Sequence, residues 1–250
     1  MDDWTGRKAL VTGGASGIGR ATALALAARG VEVAVVDKDR AGAESAAAAA
    51  KGARVVVVEA DLELPEAPAR AFAAALQALG RIDILVNAAG VTSPERTLDQ
   101  ATPEGWRRIQ TINLDAPLWL MQAFARHAAD RGDGGRIVNV TSSSGFHVES
   151  TPGYSSTKAA LTHLTRVAAR DLGPQGITVN AVAPGLTDTA MTRRIWDRAA
   201  MEAATREGPL ANFVQRPADA EDVAAAILFL CSCEARQVTG HTLHTSAKGL

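Results

Sequence analysis

Short apolar runs alternate along the chain with longer stretches of helical period. Residues 8–12, 32–37, 54–60, 82–87, 136–141 and 178–182 are nearly continuous in aliphatic and β-branched side chains. That continuity marks strands covered on both faces, as in a parallel sheet, rather than strands with one wet face. Between them, residues 18–29, 40–51, 65–79, 103–130 and 154–172 carry helical patterns. Two more helices over 192–206 and 219–231 and a last strand over 241–245 complete the reading. The rhythm predicts right-handed crossovers and one doubly wound α/β sheet of about seven parallel strands, with helices on both faces. No repeat or long linker divides the chain, so residues 1–250 are expected to form a single domain that binds a dinucleotide and carries the chemistry.

Composition narrows the function classes. The chain is 47% hydrophobic and 21% charged, which is ordinary for a globular protein. A net charge of −1 gives no electrostatic footprint for nucleic acid or an anionic membrane. No apolar run approaches the roughly 20 residues of a membrane span, and the first residues have no basic, then apolar, leader pattern. A cytoplasmic enzyme is the expectation. The alanine-rich stretch 44–50 reads as helix, since alanine is the best helix former. The cysteines, Cys231 and Cys233, follow an apolar helical run. Two thiols without further ligands fall short of a zinc site, so they read as core thiols and no metal is expected.

The chemistry begins after the first strand, at Thr12-Gly13-Gly14-Ala15-Ser16-Gly17-Ile18-Gly19. Glycines here let backbone N–H groups approach a phosphate, and a helix opening at this point adds its positive end. The spacing is G-x-x-x-G-x-G, and its place between strand and helix marks a dinucleotide site, as in a Rossmann fold. Asp37 ends the second strand about 20 residues on. A carboxylate there accepts from ribose hydroxyls and repels a 2′-phosphate, so NAD is the expected cofactor. Lys38 and Arg40 follow it and leave room for some NADP tolerance.

Tyr154 is the only tyrosine, and Lys158 lies one helical turn later on the same face. A nearby ammonium and an oxidised nicotinamide both favour a phenolate, so the pair is suited to proton exchange near neutral pH. Upstream, a strand runs into Thr141-Ser142-Ser143-Ser144-Gly145, which places hydroxyls at the crevice where open α/β sheets bind ligands.

Together these residues resemble the short-chain dehydrogenase/reductase family over residues 7–243. The motifs that carry the resemblance, in order, are the Thr12–Gly19 turn, Asp61-Leu62, Asn87-Ala88-Ala89-Gly90, Asn113, Ser142, the Tyr154/Lys158 pair, and Pro184-Gly185-Leu186-Thr187-Asp188-Thr189. The resemblance implies an oxidoreductase moving a hydride between NAD(H) and a secondary alcohol or ketone. It implies Tyr154 as general acid/base, Lys158 as the residue that lowers its pKa and binds ribose, Ser142 on the substrate oxygen, and Asn113 in a water relay. Gly13, Ser16, Gly17, Ile18 and Gly19 are then the phosphate turn. Asp61 and Leu62 lie against adenine. Asn87, Ala88 and Gly90 shape the floor. Pro184, Gly185, Thr187 and Thr189 bound the nicotinamide, the threonines meeting its carboxamide.

Two departures from the family pattern stand out. Many members place the serine thirteen residues before the tyrosine, where this chain has Thr141; counting from the strand points to Ser142 instead. The Asp-Gly-Gly that usually closes such chains is replaced by Thr245-Ser246-Ala247-Lys248-Gly249, which leaves the packing of 245–250 open.

A substrate pocket is expected from residues 91–96, from 143–153, and from a lid over about 186–213. Ser144, His147 and Trp196 are its candidate contacts. Arg96, Arg193 or Arg194 would serve a charged substrate, though each also reads as a solvated surface charge. The family implies a homotetramer or homodimer through 103–130 and 154–172. Two rivals remain: an NADPH-dependent biosynthetic ketoreductase, against which Asp37 speaks, and a non-catalytic NAD-binding redox sensor, against which the intact Asn113, Ser142, Tyr154 and Lys158 speak.

Overall fold

The computed structural model describes residues 4–147 and 150–248; the leader reading of the first residues, part of the 143–153 loop and the last two residues lie outside them. Seven parallel strands form one sheet in the order β3-β2-β1-β4-β5-β6-β9. They are β1 (Lys8–Thr12), β2 (Glu32–Asp37), β3 (Val55–Glu59), β4 (Ile84–Asn87), β5 (Gly135–Val140), β6 (Ile177–Pro184) and β9 (Thr242–Thr245). The helices are α1 (Gly17–Ala27), α2 (Arg40–Ala49), α3 (Ala67–Leu79), α4 (Pro103–Gln110), α5 (Ala116–Arg131), α6 (Pro152–Leu172), α7 (Arg198–Arg206) and α8 (Ala220–Cys231). A short parallel pair, β7 (Thr187–Asp188) with β8 (Ala218–Asp219), stands apart from the main sheet.

The continuous apolar strands are explained by two core layers. Ala9 and Val11 of β1, with Val33 and Val35 of β2, face Leu26 of α1 and Val223 and Ile227 of α8. Their alternate neighbours Leu10, Ala34 and Val36 face Phe72 of α3 and Leu120 and Phe124 of α5. Each fully buried large aliphatic or aromatic side chain of this kind contributes about 1.5–3 kcal/mol. From β1 the chain winds outward to β3, then crosses to β4 on the other side of β1. This reversal opens a crevice beyond the carboxyl ends of β1 and β4.

Two helices differ from expectation. The stretch 103–130 is not one helix: α4 and α5 are separated by a π turn, Thr111–Asp115. Pro117, in the first turn of α5, has no N–H to give to the carbonyl four residues back, that of Asn113, and the ladder widens there. The stretch 192–206 starts with a 3-10 turn, Thr192–Arg194, and only then enters α7. The Asp197 side chain accepts from the Ala200 N–H and restarts the helix.

The atypical C-terminal segment packs in register. β9 pairs with β6 from Ala181↔Thr242 to Pro184↔Thr245. Beyond it, the Phe213 N–H donates to the Ala247 carbonyl at 2.8 Å, and Lys248 Nζ bonds the Pro209 carbonyl. The chain end is thereby tied to the segment that follows α7.

Candidate active site

A cleft of ≈ 520 Å³ lies in the crevice. The phosphate turn forms one wall. Gly13 has φ +69°, and a Cβ on it would lie 2.8 Å from the backbone of Ala89, so only glycine lets the turn approach β4. The Ser16 side chain makes no cap bond to α1, which leaves the first turn's N–H groups open to an anion. Gly13, Ser16, Gly17, Ile18 and Gly19 all line the cleft. These features fit a pyrophosphate.

Two side chains hold this wall in place. Asp37 accepts from the Ala15 N–H and the Asp39 N–H, each at 3.0 Å, so its carboxylate is fixed at the cleft edge. The Thr12 hydroxyl oxygen accepts from the N–H groups of Ala88 and Ala89, each at 3.1 Å, and locks the end of β4 to the end of β1. The sequence reading places Thr12 only in the turn; its position at the end of a strand, beside the loop that follows a neighbouring strand, is the signal for its second role. Asp61, Leu62, Ala88 and Gly90 line the cleft as expected. Asn87 does not. Its amide donates to Asn139 Oδ1 at 2.8 Å, and Asn139 in turn donates to Thr165 Oγ1 at 2.9 Å. It belongs to a polar tie beneath the floor, between β4, β5 and α6.

At the inner end, Tyr154 opens α6 and lines the cleft together with Ser142, whose hydroxyl lies near enough to pull the phenol's pKa down. The structure distinguishes Ser142 from Thr141. The Thr141 hydroxyl donates to the Val182 carbonyl of β6 at 3.0 Å, so it is spent on the sheet. Ser142 also accepts from the Ser144 N–H at 3.1 Å, which fixes its rotamer. Lys158 is buried, donates from Nζ to the Val140 carbonyl at 2.8 Å, and lies 5.7 Å from the Tyr154 ring centre. Asn113 is carried in by the π turn. Its amide donates to the Val91 carbonyl and its Oδ1 accepts from the Val91 N–H, both at 2.9 Å. A Cβ on Gly90 would sit 3.4 Å from both Asn113 Oδ1 and Lys158 Nζ, so these two polar groups meet across that glycine.

Burial dominates the electrostatics of the pair. Burial draws Lys158 down from 10.5 to about 8. Burial also pushes Tyr154 above its ordinary value, opposed only by the hydrogen bond from Ser142.

The wall opposite is the segment after β6. Pro184, Gly185, Thr187 and Thr189 line the cleft, and Thr189 packs 3.3 Å from where a Cβ on Gly17 would be. Thr192, not foreseen, staples this segment: its hydroxyl donates to the Thr187 carbonyl at 2.6 Å and accepts from the Thr189 N–H at 2.9 Å. The Arg193 and Arg198 guanidinium groups hold the Asp188 carboxyl at about 2. The proposed substrate contacts are not brought in. Ser144 supports Ser142 through its backbone. Neither His147 nor Phe146 lines the cleft, and the Phe146 ring stacks edge-on against His244 at 4.6 Å. Trp196 does not line the cleft, whereas Arg194 and Ile195 of the same segment do. Cys231 is buried, with its thiol pushed up to about 12, but Cys233, read from the sequence as a core thiol too, is exposed. Among the described residues no group of three or more potential metal ligands converges, and no helix is long and apolar enough to cross a membrane.

A family model described as enoyl-(acyl carrier protein) reductase matches residues 13–247. Human L-xylulose reductase is 40% identical over 240 residues, covering 95% of this chain and 94% of that protein. This chain is a member of the short-chain dehydrogenase/reductase family. Two crystal structures of such enzymes superimpose on it closely. A short-chain dehydrogenase from Burkholderia cenocepacia in complex with NADP has 37% identity, TM-score 0.88, and 98% of each chain covered. The 3-ketoacyl-(acyl-carrier-protein) reductase from Brucella melitensis, complexed with NADH, has 29% identity, TM-score 0.87, and 98% of each chain covered. The family resemblance and the doubly wound sheet expected from the sequence are thus found. Relatives of this fold hold either dinucleotide.

Proposed function

We propose that this short-chain dehydrogenase/reductase is an NAD-dependent alcohol dehydrogenase or carbonyl reductase, with Tyr154 as its general acid/base. The observation that carries the reading is the Ser142–Tyr154 hydroxyl pair at the inner end of a dinucleotide-shaped cleft, with the Lys158 amine buried beside it. The bound nicotinamide supplies or accepts the hydride. Ser142 and Tyr154 both bond the substrate oxygen and set its position. Tyr154 gives that oxygen a proton in reduction and takes one in oxidation. Lys158 would hold ribose, and Asn113 would help hold a water that relays the proton past Lys158 to solvent.

Asp37 supports the preference for NAD. Its carboxylate is pinned by two backbone donors and cannot swing away from a 2′-phosphate. The name of the human relative, a reductase of a ketose, agrees with carbonyl chemistry. We place residues 186–213 as a lid on a single catalytic domain, and the α4–α6 surface as the contact of a homotetramer or homodimer.

The deciding experiment measures hydride transfer with a panel of secondary alcohols and ketones, using NAD(H) and NADP(H), in wild type and Tyr154→Phe. Loss of about 10²–10⁴ in kcat with dinucleotide binding retained is expected of the variant. Activity within tenfold of wild type would remove Tyr154 from its role.

A further inference from the structure

We infer that Arg194 is a substrate-binding residue, and that the substrate carries a carboxylate near its carbonyl or carbinol carbon. The inference deepens the reading above and rests on it.

Three arginines were open to such a role from the sequence, and the structure separates them. Arg96 does not line the cleft. Arg193 lies on Asp188 through two bonds, at 2.6 and 3.1 Å, so its charge is spent. Arg194 lines the cleft, is exposed, and makes no hydrogen bond or ion pair among the described residues. The 3-10 turn produces this split, because consecutive residues on it point about 120° apart. Thr192 staples that turn to Thr187 and so fixes which way Arg194 faces.

The charges around the cleft are sorted by end. Its acidic lining residues, Asp37, Asp39 and Asp61, come from the ends of β2 and β3, where the adenosine half lies. The segments around Tyr154 contribute no carboxylate to the lining. Asp188, in the same segment, is closed off by Arg193 and Arg198, and Asp197 caps α7 through the Ala200 N–H. Of the other cations on that side of the lining, Lys158 is buried and bonded to Val140 and Arg108 is bonded to Glu63, so Arg194 is the uncommitted guanidinium. Met191 and Ile195 line the cleft beside Arg194 and supply apolar contact next to its charge. A guanidinium fork in a cleft that loses water on closure binds a carboxylate in bidentate fashion, which a neutral polyol or ketone would leave unmatched.

A second anion could claim the same charge, namely the dinucleotide's own pyrophosphate. The uncapped N–H groups of α1 already provide for that group. The experiment separates the two sources. Acetoacetate, levulinate and 5-oxohexanoate are assayed against their methyl esters with NADH, in wild type, Arg194→Ala, Arg194→Lys and Arg193→Ala. NADH affinity is read independently by quenching of tryptophan fluorescence.

Wild type is expected to prefer at least one acid over its ester. Arg194→Ala should raise KM for that acid about 10- to 100-fold, the range of one desolvated charged contact, while KM for the ester and NADH affinity stay within threefold. Arg194→Lys should recover part of the loss, and Arg193→Ala should not discriminate acid from ester. Weakened NADH binding in Arg194→Ala, or equal losses on acid and ester, overturns the inference. Turnover of esters alone by wild type also overturns it and leaves the dehydrogenase reading standing. Absence of turnover on every ketone and alcohol in either direction tells instead against that reading.

Discussion

Lys158 Nζ donates to the carbonyl of Val140, the last residue of β5, across 2.8 Å, while Tyr154 sits one turn earlier on the same helix. The charge of the site is thus anchored to the sheet and not to the phenol. That arrangement sets how the protein should respond to mutation and to pH.

Burial of Lys158 costs the fold. A fall from 10.5 to about 8 corresponds to roughly 3 kcal/mol at about 1.4 kcal/mol per unit. The folded pKa lies below the unfolded one, so the penalty is fully present below pH 8 and is relieved as pH rises from about 8 toward 10.5. Lys158→Met removes the penalty but leaves the Val140 carbonyl without its donor, a loss of about 1–3 kcal/mol. The variant should be inactive yet as stable as wild type at pH 7, or more stable by about 1 kcal/mol, and the order should reverse toward pH 10, where wild type is relieved of its penalty and becomes the more stable by about 2 kcal/mol. Urea unfolding at both pH values measures this. A variant more than about 2 kcal/mol weaker at pH 7 would contradict the burial argument.

The raised Tyr154 predicts opposite pH profiles for the two directions. Reduction needs the protonated phenol, so its kcat/KM should be level near neutrality and fall as pH climbs. Oxidation needs the phenolate and should rise with pH. The Ser142 hydrogen bond pulls the phenol's pKa down. In Ser142→Ala the rising limb of oxidation should therefore move to higher pH, besides losing rate. A limb that stays put would mean that Ser142 does not touch Tyr154.

Asp37→Asn keeps an oxygen for the Ala15 N–H but loses the charge. NAD affinity should drop about tenfold, the value of roughly one charged hydrogen bond, and NADP should gain relative to NAD. Titration of both dinucleotides into the two proteins checks it, and an unchanged ratio would free Asp37 of any role in selectivity.

Ala247 holds φ +52°, in the left-handed region, where the family usually places glycine nearby. Its carbonyl accepts from the Phe213 N–H, so the conformation is fixed by the tie to the segment after α7. Ala247→Gly should stabilise the protein by about 1 kcal/mol, after the unfolded chain's gain in freedom is subtracted. A lower melting temperature would show that the alanine is not strained.

The sequence by itself determined the doubly wound sheet, because continuous apolar strands and periodic helices are local properties of the chain. It also determined much of the cleft, since the glycine turn, Asp37 and the Tyr154/Lys158 pair are carried by short-range spacing, and Asp61 came with the family resemblance. Long-range contacts decided the rest. Whether Thr141 or Ser142 meets Tyr154 depended on Val182, 41 residues from Thr141, taking the threonine's hydroxyl. Asn87 looked like part of the floor, but Asn139 on the neighbouring strand turned it inward. The break that carries Asn113 toward Lys158 needed Pro117 together with a backbone partner at Val91. Which of two adjacent arginines kept its charge free was settled by an acid, Asp188, folded beneath one of them. Spacing along a chain fixes which side chains share a face; only packing fixes which donor reaches which acceptor first, and at this cleft that competition sets the chemistry.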